Sequence, residues 1–184
     1  MCSSDLQPRV VRRAAPGVEQ KATWLQIRQA KPDHVILWGW GVMNSVAIKT
    51  AQRNGFPANK LLGVWWAGSE EDMIPSGDAA KGYTAMTFNT PGNYPVLDEI
   101  RSKVYGAGKG NLSDKERIGN VFHMRGVTAG ILMVEAMRNA QAKFGKGKVM
   151  TGEQVRWGLE NLSLDQKKLD ALGFSGVMRP ISTS

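Results

Sequence analysis

Cysteine is nearly missing from this chain: Cys2 is the single one in 184 residues. That excludes an internal disulfide framework and a cysteine-based zinc site. Histidine is almost as rare, with only His34 and His123, and neither stands in a triad-like setting of serine, cysteine or aspartate. No phosphate loop occurs. The dinucleotide fingerprint is incomplete, since Gly39 and Gly41 supply two glycines, Asn44 stands where the third belongs, and no acidic residue follows about twenty positions on at a strand end. A stretch of about 18 apolar residues is lacking too. The basic residues are spread from Arg9 to Lys168 without a block and without a zinc-finger or RNA-binding signature. This sets nucleic acid aside as a partner despite a net charge of +8 and a pI near 9.8. These gaps point away from catalysis: no catalytic residue, no metal site and no cofactor is expected.

What the chain does have is a hydrophobic content of 42%, enough for one sizeable core or two small ones. Its opening, MCSSDL, resembles the translation of a sequencing-library adapter, and residues 1–8 are read as a non-native leader to a truncated chain. On that reading, the lack of a visible signal peptide carries no information about compartment.

From Arg9 onward, strand and helix patterns alternate. Val10 and Val11 read as a strand remnant broken by Pro16-Gly17. Val18, Ala22, Leu25 and Gln29 then share one face of a helix that ends at Lys31-Pro32-Asp33. Val35 to Trp38 is a continuous apolar run bounded by Pro32 and Gly39, as expected of a strand buried on both faces. Val42, Val46, Ala47 and Ala51 fall at helical spacing, with Gly55 placed to stop the helix in the left-handed conformation. A strand is expected from Leu61 through Val64-Trp65-Trp66 to Gly68, a turn at Pro75-Ser76-Gly77, a short helical segment at Ala79 and Ala80, and a further strand over Gly82 to Phe88. Repeated βα units with short connections predict an α/β fold, a Rossmann-like parallel sheet with helices on both sides.

The composition changes at Asn89 to Pro95, and helices dominate beyond it. The pattern predicts helices over Val96 to Val104, Val121 to Phe144, Gly152 to Asn161 and Leu164 to Leu172, the last stopped by Gly173. Ser113 with Glu116, Thr151 with Gln154, and Ser163 with Gln166 read as capping boxes. The long helix turns Val127, Ile131, Val134 and Met137 or Arg138 inward. Gly126 and Gly130 inside it each cost about 1 kcal/mol against alanine, which predicts close packing against another element. These helices have no sheet of their own to cover.

Four of the six tryptophans fall where two of the expected strands end, as Trp38-Gly39-Trp40-Gly41 and Val64-Trp65-Trp66-Ala67-Gly68. Ligands of open parallel sheets sit outside the carboxyl ends of the strands, so the indoles are candidates to line one crevice mouth, with glycines that let a ligand or another backbone come close. Capping of the core is the other reading of tryptophans so placed.

The run KATWLQIRQAKPDHVILWGWGVMNSVAIKTAQRNGF, followed by KLLGVWWAGSEEDMIPSGDAAKGYTAMTF and later by VFHMRGVTAGILMVEAMRNA, resembles the extracytoplasmic solute-binding proteins of the branched-chain amino-acid type ABC transporters. That resemblance runs from about Pro8 to the carboxyl end. It implies the type I periplasmic-binding-protein fold, with two Rossmann-like lobes closing on a ligand. It places residues 9–90 in a partial second lobe and residues 91–184 in helices that return to the first lobe and start the last crossover. It further implies a periplasmic or extracytoplasmic location, a small-molecule solute, and ABC permease subunits in the inner membrane as partners. The ligand-binding residues implied are Trp38, Gly39, Trp40, Trp65, Trp66 and Glu70.

One departure is informative. In amino-acid-binding relatives an acidic residue for the ligand ammonium would fall near Trp65, where this chain has an indole. A buried ammonium left without a carboxylate is poorly compensated. The expected solute is therefore aromatic, acidic or otherwise flat, an amino-acid-like or carboxylate molecule that stacks on indole. A quaternary ammonium held by cation–π contact is a further option. Glu70, Glu71 and Asp72 either supply a charge from the loop or form a solvated turn. A ligand-sensing domain of a receptor or regulator with the same fold, and a small α/β enzyme, are the alternative readings.

Overall fold

Apolar patterning and a few backbone stops build the first elements. The computed structural model describes residues 17–183; the leader, Cys2 and the expected strand at Val10-Val11 lie outside the described residues. The chain divides into two compact units, Met1–Phe88 and Asn89–Ser184. In the first, helix α1 (Lys21–Ala30) ends where Lys31 takes the left-handed conformation and Pro32 follows. Strand β1 (Val35–Leu37) comes next, and then helix α2 (Val42–Arg53). Gly55, at φ +76, ends α2 as expected: its N–H donates to Gln52 O, and the Phe56 N–H reaches Ala51 O. Strand β2 (Leu61–Gly63), the short helix α3 (Glu70–Met73), a 3₁₀ segment over Ile74–Ala80 kinked at Gly77, and strand β3 (Thr84–Ala85) complete the unit.

The three strands form a parallel sheet in the order β1-β2-β3, with Leu37 opposite Gly63 and Gly63 opposite Ala85. The α/β class with a parallel sheet is as expected, but several details differ. Among the described residues the sheet is packed on one face only: Val35, Leu37 and Leu61 join Trp24, Ala47, Ile48, Ala51 and Ala79 in the core, while Ile36 is 67% exposed. The strand over Val35 is therefore not buried on both faces, and it stops before Trp38. Helix α1 faces the core through Trp24 and Ile27, leaving Val18, Ala22, Leu25 and Gln29 outside. The indole of Trp24 buries more area than any of these and packs on Phe56. Val42 is exposed as well, and Asn44 and Ser45 take its place on the buried face of α2.

The second unit is mostly helical. Helix α4 (Pro95–Ile100) continues as a π-helical turn over Arg101–Tyr105. Helix α5 spans Val121–Phe144, as the pattern predicts, and α6 (Gly152–Glu160) begins with the expected Thr151–Gln154 capping box. Strand β4 (Ser163–Leu164), helix α7 (Gln166–Ala171) and strand β5 (Ile181–Ser182) follow, with β4 and β5 paired antiparallel. So this unit has a small sheet of its own.

The other two expected capping boxes are absent. Asp114 caps the 3₁₀ turn Lys115–Arg117 and Asp165 caps α7, because the neighbouring serines lie one or two positions too early. The inner face of α5 is also rotated from the one expected. Val127 and Ile131 do pack inward, but Val134, Met137 and Arg138 are exposed, and Glu135 and Ala136 are buried. Gly126 and Gly130 face open space; the helical glycine in close contact is Gly158 of α6, where a Cβ would overlap Ala136 O.

Candidate functional site

Parallel pairing sends all three strands of the first unit out of the sheet along one edge. The ladder continues one step past the strands, since Val64 N–H donates to Leu37 O (3.1 Å) and Met86 N–H to Gly63 O (2.9 Å). The chain after β2 then curls into a 3₁₀ turn over Trp65–Ala67, closed by Ala67 N–H to Val64 O at 2.8 Å. The strand expected to run to Gly68 therefore ends at Gly63, and the one expected over Gly82 to Phe88 is reduced to Thr84–Ala85.

Three aromatic rings, one from each strand end, meet beyond this edge. Trp38 and Trp65 lie with ring centroids 5.4 Å apart and planes at 65°, and Trp65 and Phe88 are also 5.4 Å apart, at 37°. Contacts of this kind contribute about 0.5–1.5 kcal/mol beyond burial. Trp38 is 64% exposed and Phe88 78% exposed, so ring faces are open to a flat molecule.

Of the candidate residues, the structure thus brings Trp38 and Trp65 together. It places Trp40 and Trp66 on the same two loops, both exposed. Gly39 is buried, and the group close to it is the chain's own Asn44 rather than open space for a ligand. Glu70 lies in the first turn of α3, partly exposed.

Beneath the rings lies a polar layer. Asp72 is only 3% exposed, and it is the member of the Glu70-Glu71-Asp72 run that turns inward. Its Oδ1 accepts from Asn44 Nδ2 (2.8 Å), its Oδ2 from Ser69 Oγ (2.9 Å) and its backbone carbonyl from Ser76 Oγ (3.1 Å). Asn44 Nδ2 also donates to Trp66 O at 2.9 Å. From the other side the Tyr83 hydroxyl donates to Ala67 O at 2.9 Å. Burial, and then the charge of Asp72, push the Tyr83 pKa well above its ordinary value, so the hydroxyl keeps its proton. Asp72 belongs to the acidic run singled out in the sequence, whereas Phe88, Asn44 and Tyr83 are not among the expected site residues. The one available signal was Asn44, whose position breaks the glycine fingerprint.

His34 is exposed just before β1. His123, in the second unit, accepts at Nδ1 from Gly119 N–H (3.4 Å); burial, and then the charge of Arg101, lower its pKa. Among the described residues no group of three or more His, Cys, Asp and Glu could hold a metal ion, and no helix is long and apolar enough to cross a membrane.

The family model for periplasmic binding proteins matches residues 6–183. A crystal structure described as an ABC transporter permease from the Pseudomonas fluorescens group is 43% identical, with a TM-score of 0.79 over 93% of this chain and 41% of its own. A branched-chain amino-acid ABC transporter protein from Thermus thermophilus, with valine bound, is 26% identical, with a TM-score of 0.62 over 81% of this chain and 37% of its own. A solute-binding protein from R. palustris in complex with benzoate, 18% identical with a TM-score of 0.58, shares the fold over 92% of this chain and 43% of its own. The chain spans about two-fifths of the length of each of these structures. No curated protein matches it at a significant level.

Proposed function

The chain belongs to the periplasmic binding protein family, with the type I fold of ABC-transporter solute-binding proteins of the branched-chain amino-acid type, and from that premise we propose that its aromatic edge is a platform for a transported solute. The observation that carries this is the meeting of Trp38, Trp65 and Phe88 at the carboxyl edge of a parallel sheet, with ring faces exposed. The first unit is part of one lobe, and the helices after it belong with the other. A solute bound between two lobes drives their closure only to the extent that it contacts both. The closed protein, outside the cytoplasm, then delivers the solute to membrane permease subunits.

Stacked rings favour a flat molecule with delocalised electrons over an aliphatic one. The solute is thus an aromatic or acidic amino-acid-like molecule or carboxylate, and Trp40, Trp66 and Glu70 lie on the loops that would surround it. Valine, bound by the Thermus thermophilus relative, is the comparison solute.

Tryptophan fluorescence of the chain, titrated with benzoate and with valine, tests the proposal. The expected outcome is a saturable change with benzoate, weak because the chain spans only part of its relatives' length, and a smaller change with valine. Trp38→Ala and Trp65→Ala should each weaken benzoate binding by about tenfold, in line with the loss of about 1.4 kcal/mol of stacking. Unchanged affinity in both variants would sink the platform.

A further inference from the structure

Two loops carry the tryptophans, and one side chain touches the backbone of both. Asn44, fully buried in the first turn of α2, uses both amide hydrogens: one bond goes to Trp66 O at 2.9 Å and the other to Asp72 Oδ1 at 2.8 Å. Both partners are acceptors, so the amide cannot be reversed without aiming its oxygen at two other oxygens. That leaves Oδ1 pointing the other way, against Gly39, where it has no hydrogen-bond partner among the described residues and where a Cβ on Gly39 would overlap it. An unpaired buried acceptor is unfavourable, yet it is the consequence of an orientation that satisfies the Trp66 carbonyl and the Asp72 carboxylate together. Asp72, with no salt-bridge partner among the described residues, draws its stabilisation from the Asn44 and Ser69 donors.

From this we infer that Asn44 is the positioning residue of the aromatic platform. It sets the spacing of Trp38 and Trp65 by packing against Gly39 on one loop and holding Trp66 O on the other. Gly39 is glycine because the Asn44 carbonyl occupies the space of a side chain. The consequence for solute binding rests on the platform reading; the ring geometry itself does not.

The test therefore starts without a solute. Two indoles 5.4 Å apart at 65° give an exciton couplet in the ultraviolet circular dichroism spectrum, assigned by its loss in Trp38→Phe and in Trp65→Phe. Asn44→Ala and Gly39→Ala should each lose the couplet while unfolding remains cooperative. Gly39→Ala should have no further effect in an Asn44→Ala background, where nothing is left to collide with; that is non-additivity expected of groups in contact. Ser69→Ala, which removes one donor from Asp72, is the mildest change and should diminish the couplet if the harsher variants do not fold. A couplet unchanged in every variant that folds overturns the inference. If the couplet responds as expected but benzoate fails to perturb the wild-type chain, the platform reading falls and the positioning role stands. If benzoate binds through Trp65 while the couplet ignores Asn44 and Gly39, the reverse holds.

Discussion

At the scale of single residues, the site's shape depends on where a side chain is absent. Gly63 ends β2 directly beneath the Tyr83 hydroxyl, and a Cβ there would overlap that oxygen. The hydroxyl is fixed in turn by its bond to Ala67 O. Gly63→Ala should therefore destabilise the first unit by about 1–3 kcal/mol, the range for overpacking a filled site, as read from the midpoint of urea unfolding; Gly63→Ala in a Tyr83→Phe background should recover part of that loss. Little of this was legible in the sequence. Gly39 and Gly68 read alike in the sequence, as glycines beside tryptophans, and Gly63 carries no reading there, yet the three adjoin different groups: the Asn44 carboxamide, the Met86 carbonyl and the Tyr83 hydroxyl. Asn44 and Asp72 are 28 positions apart, and no periodicity links two polar residues across that distance.

At the scale of elements, the second unit is closed by a carboxylate that hydropathy would have placed in water. Glu135 of α5 is 1% exposed; one of its oxygens meets Arg138, and the other meets Lys168 Nζ of α7 at 2.8 Å. Burial by itself would raise its pKa. The hydrogen bonds and charges of Lys168 and Arg138 outweigh burial and hold it below the ordinary value of 4.5. A carboxylate with a depressed folded pKa contributes stability above its unfolded value and loses that contribution as the pH falls through the folded one. The second unit should accordingly weaken as the pH drops below 4.5, and Glu135→Gln should flatten that part of the profile when thermal unfolding is followed through the single tryptophan of the unit, Trp157. The helix itself was legible, since its apolar run marks its span. Its buried face was not, because one of the two ion pairs that allow Glu135 inside, that with Lys168, comes from a helix that begins thirty-one positions later, at Gln166.

For the whole molecule, charge and exposed apolar surface act against each other. The chain carries +8 at neutral pH and has a pI near 9.8, while Ile36, Trp38, Phe88 and Val149, the last 97% exposed, face solvent. Like charge keeps copies apart, and its loss lets apolar patches meet. Light scattering should rise as the pH approaches 9.8 or as salt screens the charge; a particle size independent of both would contradict this. By itself, the sequence determined the α/β class, the parallel order of βα units, the helix over Val121–Phe144, the Thr151 cap and the left-handed stops at Gly55 and Gly173, because each depends on local periodicity or on the backbone freedom of one residue. The tertiary structure alone decided how short the strands are, which face each helix buries, and which aromatics meet over which polar layer. Those outcomes depend on competition between distant groups for the same space and the same hydrogen bonds, which no stretch of neighbouring residues encodes.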